Sequence, residues 1–123
     1  MLEHRGYGHL GGSLSIVELM SVLYGKQLHV DPKNPKMEDR DMVVLSKGHA
    51  GPAWYCALAE KGFFDKEWLM TLNDGGTRLP SHPDRTKTPG VDMYLLHNCE
   101  WIYWKCWNTE DTDIWEVLYP SLN

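Results

Sequence analysis

Met42-Val43-Val44-Leu45-Ser46-Lys47-Gly48-His49-Ala50-Gly51-Pro52-Ala53 is the stretch on which the fold of this chain turns. Met42–Leu45 is an all-apolar, β-branched run without alternation, the pattern of a strand covered on both faces of a parallel sheet. Ser46–Gly51 is glycine-rich and reads as a turn. Pro52 then suits the first turn of a helix, where its missing amide leaves no hydrogen bond unmade. Trp54, Tyr55, Leu58 and Cys56 form the apolar side of that helix, with Cys56 read as a small buried hydrophobe, and Gly62 ends it. The order strand, glycine turn, helix puts His49 at the carboxyl end of a strand, where open α/β sheets bind ligands.

The segments on either side agree with an α/β fold, a parallel sheet flanked by helices. Upstream, Ile16, Leu19, Met20 and Leu23 recur at helical spacing, and Gly25 is a natural stop. Ser15-Ile16-Val17-Glu18 reads as a capping box, in which the serine oxygen accepts the Glu18 amide and the carboxylate returns to Ser15. Asp31-Pro32-Lys33-Asn34-Pro35 is a loop by its turn chemistry. Downstream, Asp65 is placed to cap a short helix through Trp68, Leu69 and Leu72. Residues 73–90 form a long polar loop of the kind that is often functional in compact domains.

Composition changes after Met93. All 11 glycines lie at or before Gly90, whereas the 30 residues that follow Met93 hold seven aromatics: Tyr94, Trp101, Tyr103, Trp104, Trp107, Trp115 and Tyr119. Those 30 residues carry five acidic groups against Lys105, so they account for most of the net charge of -5. That charge, with no cluster of Lys and Arg along the sequence, argues against a nucleic-acid partner. No apolar run approaches the ~20 residues that cross a bilayer. The start, Met1-Leu2-Glu3-His4-Arg5-Gly6, lacks the apolar core of a secretory signal, so the cytoplasm is the expected compartment. Three cysteines without a Cys-x-x-Cys pair suggest neither a disulfide framework nor a zinc site, and His97, Cys99 and Cys106 lack a fourth ligand.

Three histidines stand next to glycine or proline in expected turns: Gly8-His9-Leu10-Gly11-Gly12, Lys47-Gly48-His49-Ala50-Gly51 and Ser81-His82-Pro83. Flanking glycines let the backbone approach an anion, and the helix after His49 offers free amides and the positive end of its dipole. Imidazole can donate to a phosphate oxygen or carry a proton near neutral pH. Each histidine taken singly also fits a polar surface residue or a local cap. Lys47 reads either as a phosphate-binding point charge or as a solvated lysine. His4, His29 and His97 have no such framing. Asp84, Asp92 and Glu18 lack a partner carboxylate at useful spacing, and Glu18 is assigned to the cap.

The order and spacing of the three motifs raise them above their separate meanings. Gly8-His9-Leu10-Gly11-Gly12-Ser13-Leu14-Ser15, Leu45-Ser46-Lys47-Gly48-His49-Ala50-Gly51-Pro52-Ala53 and Leu79-Pro80-Ser81-His82-Pro83 together resemble the amino-terminal part of transketolase, especially bacterial forms split into two subunits. The resemblance runs through Pro89-Gly90-Val91-Asp92-Met93. It implies a partial diphosphate-binding domain over residues 1–93, in an enzyme that moves a two-carbon ketol unit between sugar phosphates. Thiamine diphosphate and a divalent metal such as magnesium are the implied cofactors. His9, His49 and His82 become the implied catalytic residues, with Lys47, Gly48, His49 and His82 beside the cofactor. The implied partners are a second copy of the chain and a pyrimidine-domain subunit, with no membrane and no nucleic acid.

Beyond Met93 the resemblance stops. The family continues Ser-Thr-Gly-Ser-Leu-Gly toward a Gly-Asp-Gly motif and a downstream Asn that hold the metal, and residues 94–123 contain neither Gly-Asp-Gly nor an equivalent. Codons for Tyr94-Leu95-Leu96 can encode Ser-Thr in a shifted frame, which points to an interrupted frame and a non-native tail. Met1 falls inside the family's usual first helix, which suggests loss at that end as well. The expectation is a chain inactive alone and without metal ligands of its own. Two alternatives stand beside it: a fragment similar to 1-deoxyxylulose-5-phosphate synthase, and a non-catalytic module that binds a partner through Trp101, Ile102 and Trp104.

Overall fold

A computed structural model describes residues 1–94, 101–105 and 116–120, with side-chain surroundings described through Met93. The expected strand is β1, Met42–Leu45, with Val43, Val44 and Leu45 buried. After a 3-10 turn at Gly48–Ala50 comes the long helix, named here α4 because three short helices precede it, over Gly51–Lys61. Pro52 occupies its first turn, and Gly62 closes it in the left-handed conformation at φ 101°, donating to the Leu58 and Ala59 carbonyls. Trp54, Tyr55 and Leu58 are fully buried against Ile16, Met20, Leu45 and Leu79. Burying each of these side chains stabilises the fold by about 1.5–3 kcal/mol.

The protein is α/β, but its sheet is mixed. Strand order is β2-β1-β3-β4, with β2 at Met93–Tyr94, β3 at Trp101–Lys105 and β4 at Glu116–Pro120. β2 runs parallel to β1, pairing Val44 with Met93 and Leu45 with Tyr94. β3 lies on the other edge of β1 and runs antiparallel, from Met42 opposite Lys105 to Leu45 opposite Ile102, and β4 pairs antiparallel with β3. The expectation of a parallel sheet is thus corrected by the aromatic segment, whose strands pair in the opposite sense. His97, Cys99 and Cys106 lie outside the described residues.

Several local expectations are also revised. Three helices precede β1: α1 (Leu2–Arg5), α2 (Leu10–Leu14) and α3 (Val17–Val22), the last running on into a π turn at Leu23–Gln27. Gly25 therefore does not stop the helix. The wider turn, closed by Leu28 N donating to Leu23 O at 2.8 Å, buries Leu23, Tyr24 and Leu28 together. The capping box does not form, because the Ser15 hydroxyl donates back to Gly12 O at 2.8 Å and Ile16 takes the cap position without a side-chain bond. Asp65 does precede a 3-10 turn, Lys66–Thr71, but caps it through its backbone, with Trp68 N donating to Asp65 O at 3.0 Å. Cys56 is exposed rather than buried, lining an apolar trough of about 790 Å³ between α4 and the first helices.

Candidate functional site

The three histidine turns meet at the carboxyl end of β1, through ring-on-glycine contacts. His9 precedes α2, and its ring centroid lies 5.3 Å from that of His49 at an interplanar angle of 56°. Gly12 lies inside α2 and seats the His49 ring, since a Cβ there would come within 2.9 Å of His49 Cδ2. A glycine in the middle of a helix is unfavourable by about 1 kcal/mol relative to alanine, and here that choice is what admits the imidazole. Gly48 repeats the arrangement one turn further along: a Cβ on it would meet His82 Cδ2 at 2.8 Å. Pro83 then packs on Gly51 at the start of α4, where a Cβ would meet Pro83 Cδ at 2.8 Å. His9 and His82 are exposed and His49 is half-buried, so the cluster faces solvent on one side.

Lys47 also belongs to the cluster, its Nζ donating to Ser15 Oγ at 3.2 Å. Lysine, Ser15 and Gly12 thus join the end of α2 to the turn after β1. Ser46, the residue that follows β1, is 2% exposed, and its hydroxyl is among the buried side-chain oxygens without a hydrogen-bond partner. Three imidazoles and an ammonium group form a set suited to anionic oxygen.

Residues that hold the third turn in place were not visible in the sequence. Tyr55 donates its hydroxyl to Pro80 O at 2.6 Å, and the Asn73 side-chain amide donates to Ser81 Oγ. Asn73 itself adopts φ 60° and donates its backbone amide to Leu79 O at 3.1 Å. Arg5 pairs with Asp74 at 2.6 Å and donates to Asn73 O at 3.1 Å, tying α1 to the same loop. These partners are up to 69 positions apart, so no local pattern marks them. His4 lies in α1, and His29 lies at the surface 3.8 Å from Asp39, both away from the cluster. Among the described residues no three His, Cys, Asp or Glu side chains gather as a metal site. The donor set therefore fits the anionic part of a phosphate ligand and does not fit a divalent metal.

Residues 1–94 match the family described as transketolase, thiamine diphosphate binding domain, and the chain belongs to that family. It is 57% identical over 88 residues to the 6-deoxy-6-sulfo-D-fructose transketolase subunit SqwG of Clostridium sp. (strain MSTE9), an alignment covering 72% of this chain and 32% of that protein. It is 43% identical over 86 residues to an apulose-4-phosphate transketolase subunit of Actinobacillus succinogenes, covering 70% of this chain and 31% of that protein. With the transketolase of Treponema pallidum the identity is 38% over 92 residues, covering 74% of this chain and 14% of that protein. The alignments to the two subunits thus span about a third of each subunit's length. No helix among the described residues is long and apolar enough to cross a membrane.

Proposed function

We propose that this chain is the diphosphate-binding portion of a two-subunit transketolase and does not catalyse ketol transfer alone. The gathering of His9, His49 and His82 at the end of β1, with His49 seated on Gly12, His82 on Gly48 and His9 against the His49 ring, carries the reading. In the intact enzyme, thiamine diphosphate supplies the carbon nucleophile and electron sink for moving a two-carbon unit between sugar phosphates. Lys47, Gly48, His49 and His82 would hold its diphosphate oxygens, with His9 and His82 donating to sugar oxygens that gain charge during transfer. The divalent metal would depend on ligands that residues 94–123 do not supply. A second copy of the chain and a pyrimidine-domain subunit would complete the active site, in the cytoplasm. Relatives named as transketolase subunits favour this reading over one similar to 1-deoxyxylulose-5-phosphate synthase.

Residues 94–123 are proposed to come from an interrupted reading frame. Reading the gene beyond this frame for a Gly-Asp-Gly codon run tests that origin, and its absence would favour a tail that belongs to the protein. The pairing of β3 onto β1, with β4 paired beyond it, favours that second, non-catalytic reading, because the aromatic segment then extends the sheet. The site is tested by following histidine ring signals by NMR as thiamine diphosphate is added, with and without magnesium. His9, His49 and His82 are expected to shift together at millimolar cofactor, without the saturation that micromolar affinity would give. Shifts confined to His4 or His29 would end the assignment, and micromolar binding by the chain alone would overturn its incompleteness.

A further inference from the structure

Along the sequence no cluster of basic residues is visible, but the fold assembles one, which corrects that expectation. Lys36, Arg40, Arg78, Arg85 and Lys87 line one open groove of about 980 Å³. Among the described residues its lining carries a single carboxylate, Asp92, and that group is committed to Arg40 and to the Val43 amide. Four exposed cations from three separate segments then face the same space, in a chain whose net charge is -5. The cations are spread along the groove, and Asp84, in the same turn as Arg85 and Lys87, offsets only part of their charge, so the groove keeps a positive potential that attracts anions.

The groove's backbone is fixed in advance. Thr88 is 2% exposed and its hydroxyl donates to Arg78 O, locking the Arg78 segment to the turn that carries Arg85 and Lys87. Asp84 holds that turn from within, its carboxylate accepting from Thr86 N at 2.8 Å and Thr86 Oγ1 at 2.6 Å. Arg78 lies over the Trp68 ring at 5.0 Å, which limits where its guanidinium can point. The groove sits at the amino end of β1, and the histidine cluster at the other end, about 13 Å of strand away.

We propose that this groove is a second anion site, separate from the histidine cluster, for a small ligand bearing a chain of phosphates. Four point charges spread over three segments match several phosphates in a row better than one, and the volume suits a ligand of nucleotide size. The site is independent of the transketolase reading.

Calorimetric titration of the whole chain with inorganic tripolyphosphate tests it. Saturable binding is expected, weakened at least about tenfold in Arg85→Glu/Lys87→Glu and strongly reduced by salt at about 0.5 M. Both side chains are exposed, and circular dichroism confirms that the variant is folded. Arg85→Gln/Lys87→Gln is expected to fall between the two, and Lys26→Ala, at an exposed lysine outside the groove, to bind as the parent does. Adenosine triphosphate separates the sources of the phosphate chain: equal affinity assigns the inorganic chain and tighter binding the nucleotide. Orthophosphate as tight as tripolyphosphate, loss of binding in His49→Ala, or tighter binding to a single-stranded oligonucleotide would overturn the assignment.

Discussion

Asp92 and Arg40 provide a quantitative test of how β1 is anchored. Their side chains are 11% and 17% exposed, so the ion pair is largely withdrawn from water. The second Asp92 oxygen accepts from Val43 N at 3.0 Å, and Arg40 also donates to Asp41 O at 3.2 Å. Asp92→Asn keeps an acceptor for Val43 but leaves the guanidinium without its carboxylate, at a loss of about 1.5–3 kcal/mol. Arg40→Met leaves a largely buried carboxylate with only an amide donor, at a comparable loss. In Arg40→Met/Asp92→Asn neither charge remains, and the methionine fills much of the vacated space. The double variant is therefore expected to be no worse than the poorer single one, a coupling of about 2 kcal/mol. Urea unfolding of all four proteins at matched m-values gives each free energy. Additive losses, with coupling under about 0.5 kcal/mol, would show that the pair is solvated and that something else anchors β1.

Three further outcomes follow from local geometry. Gly90→Ala places a Cβ 2.6 Å from Leu58 Cδ2 and 2.7 Å from Phe63 Cδ1 at φ 85°, so strain and overpacking should destabilise by about 2–4 kcal/mol in the same assay. The Thr86 hydroxyl, followed by its amide, holds the Asp84 carboxyl below the usual carboxylate range. A depressed folded pKa adds stability above the unfolded value that is lost as pH falls through the folded one; Thr86→Ala should move the Asp84 titration upward by NMR and narrow that acid window. Partial desolvation in the apolar trough pushes the Cys56 thiol up, so its alkylation, mapped by mass spectrometry, should keep accelerating above the pH where a free cysteine levels off.

Much of the fold was legible where one local rule acted alone. Four apolar residues in a row marked β1, and Pro52 with Gly62 bounded α4, because proline and glycine constrain the backbone whatever surrounds them. Ser15 failed because two local partners were open to it: the Glu18 amide ahead and the Gly12 carbonyl behind, and Lys47 from elsewhere in the chain settled the matter. Cys56 failed for a related reason, since helical spacing tells which residues share a face but not how far neighbouring elements extend over it. The antiparallel course of β3 was invisible because strand pairing is decided between segments some 60 positions apart. Histidine positions were legible, but their seats were not: Gly12 and Gly48 look like loosening residues until the rings that need them are placed.

The two ends of β1 show why one short strand can serve two chemistries. Its carboxyl end releases the chain into Lys47-Gly48-His49, where glycine allows side chains from three segments to share a small volume. Imidazoles tolerate such crowding because they need carry no charge. The amino end gathers arginines and lysines instead, and fixed charges cannot be brought together so closely. Arg40 approaches the strand only because Asp92 meets it, and the remaining cations stay at the rim of a wide groove. Both arrangements hang on the Thr88-anchored loop, which carries His82 and Pro83 toward one end of β1 and Arg85, Lys87 and Asp92 toward the other.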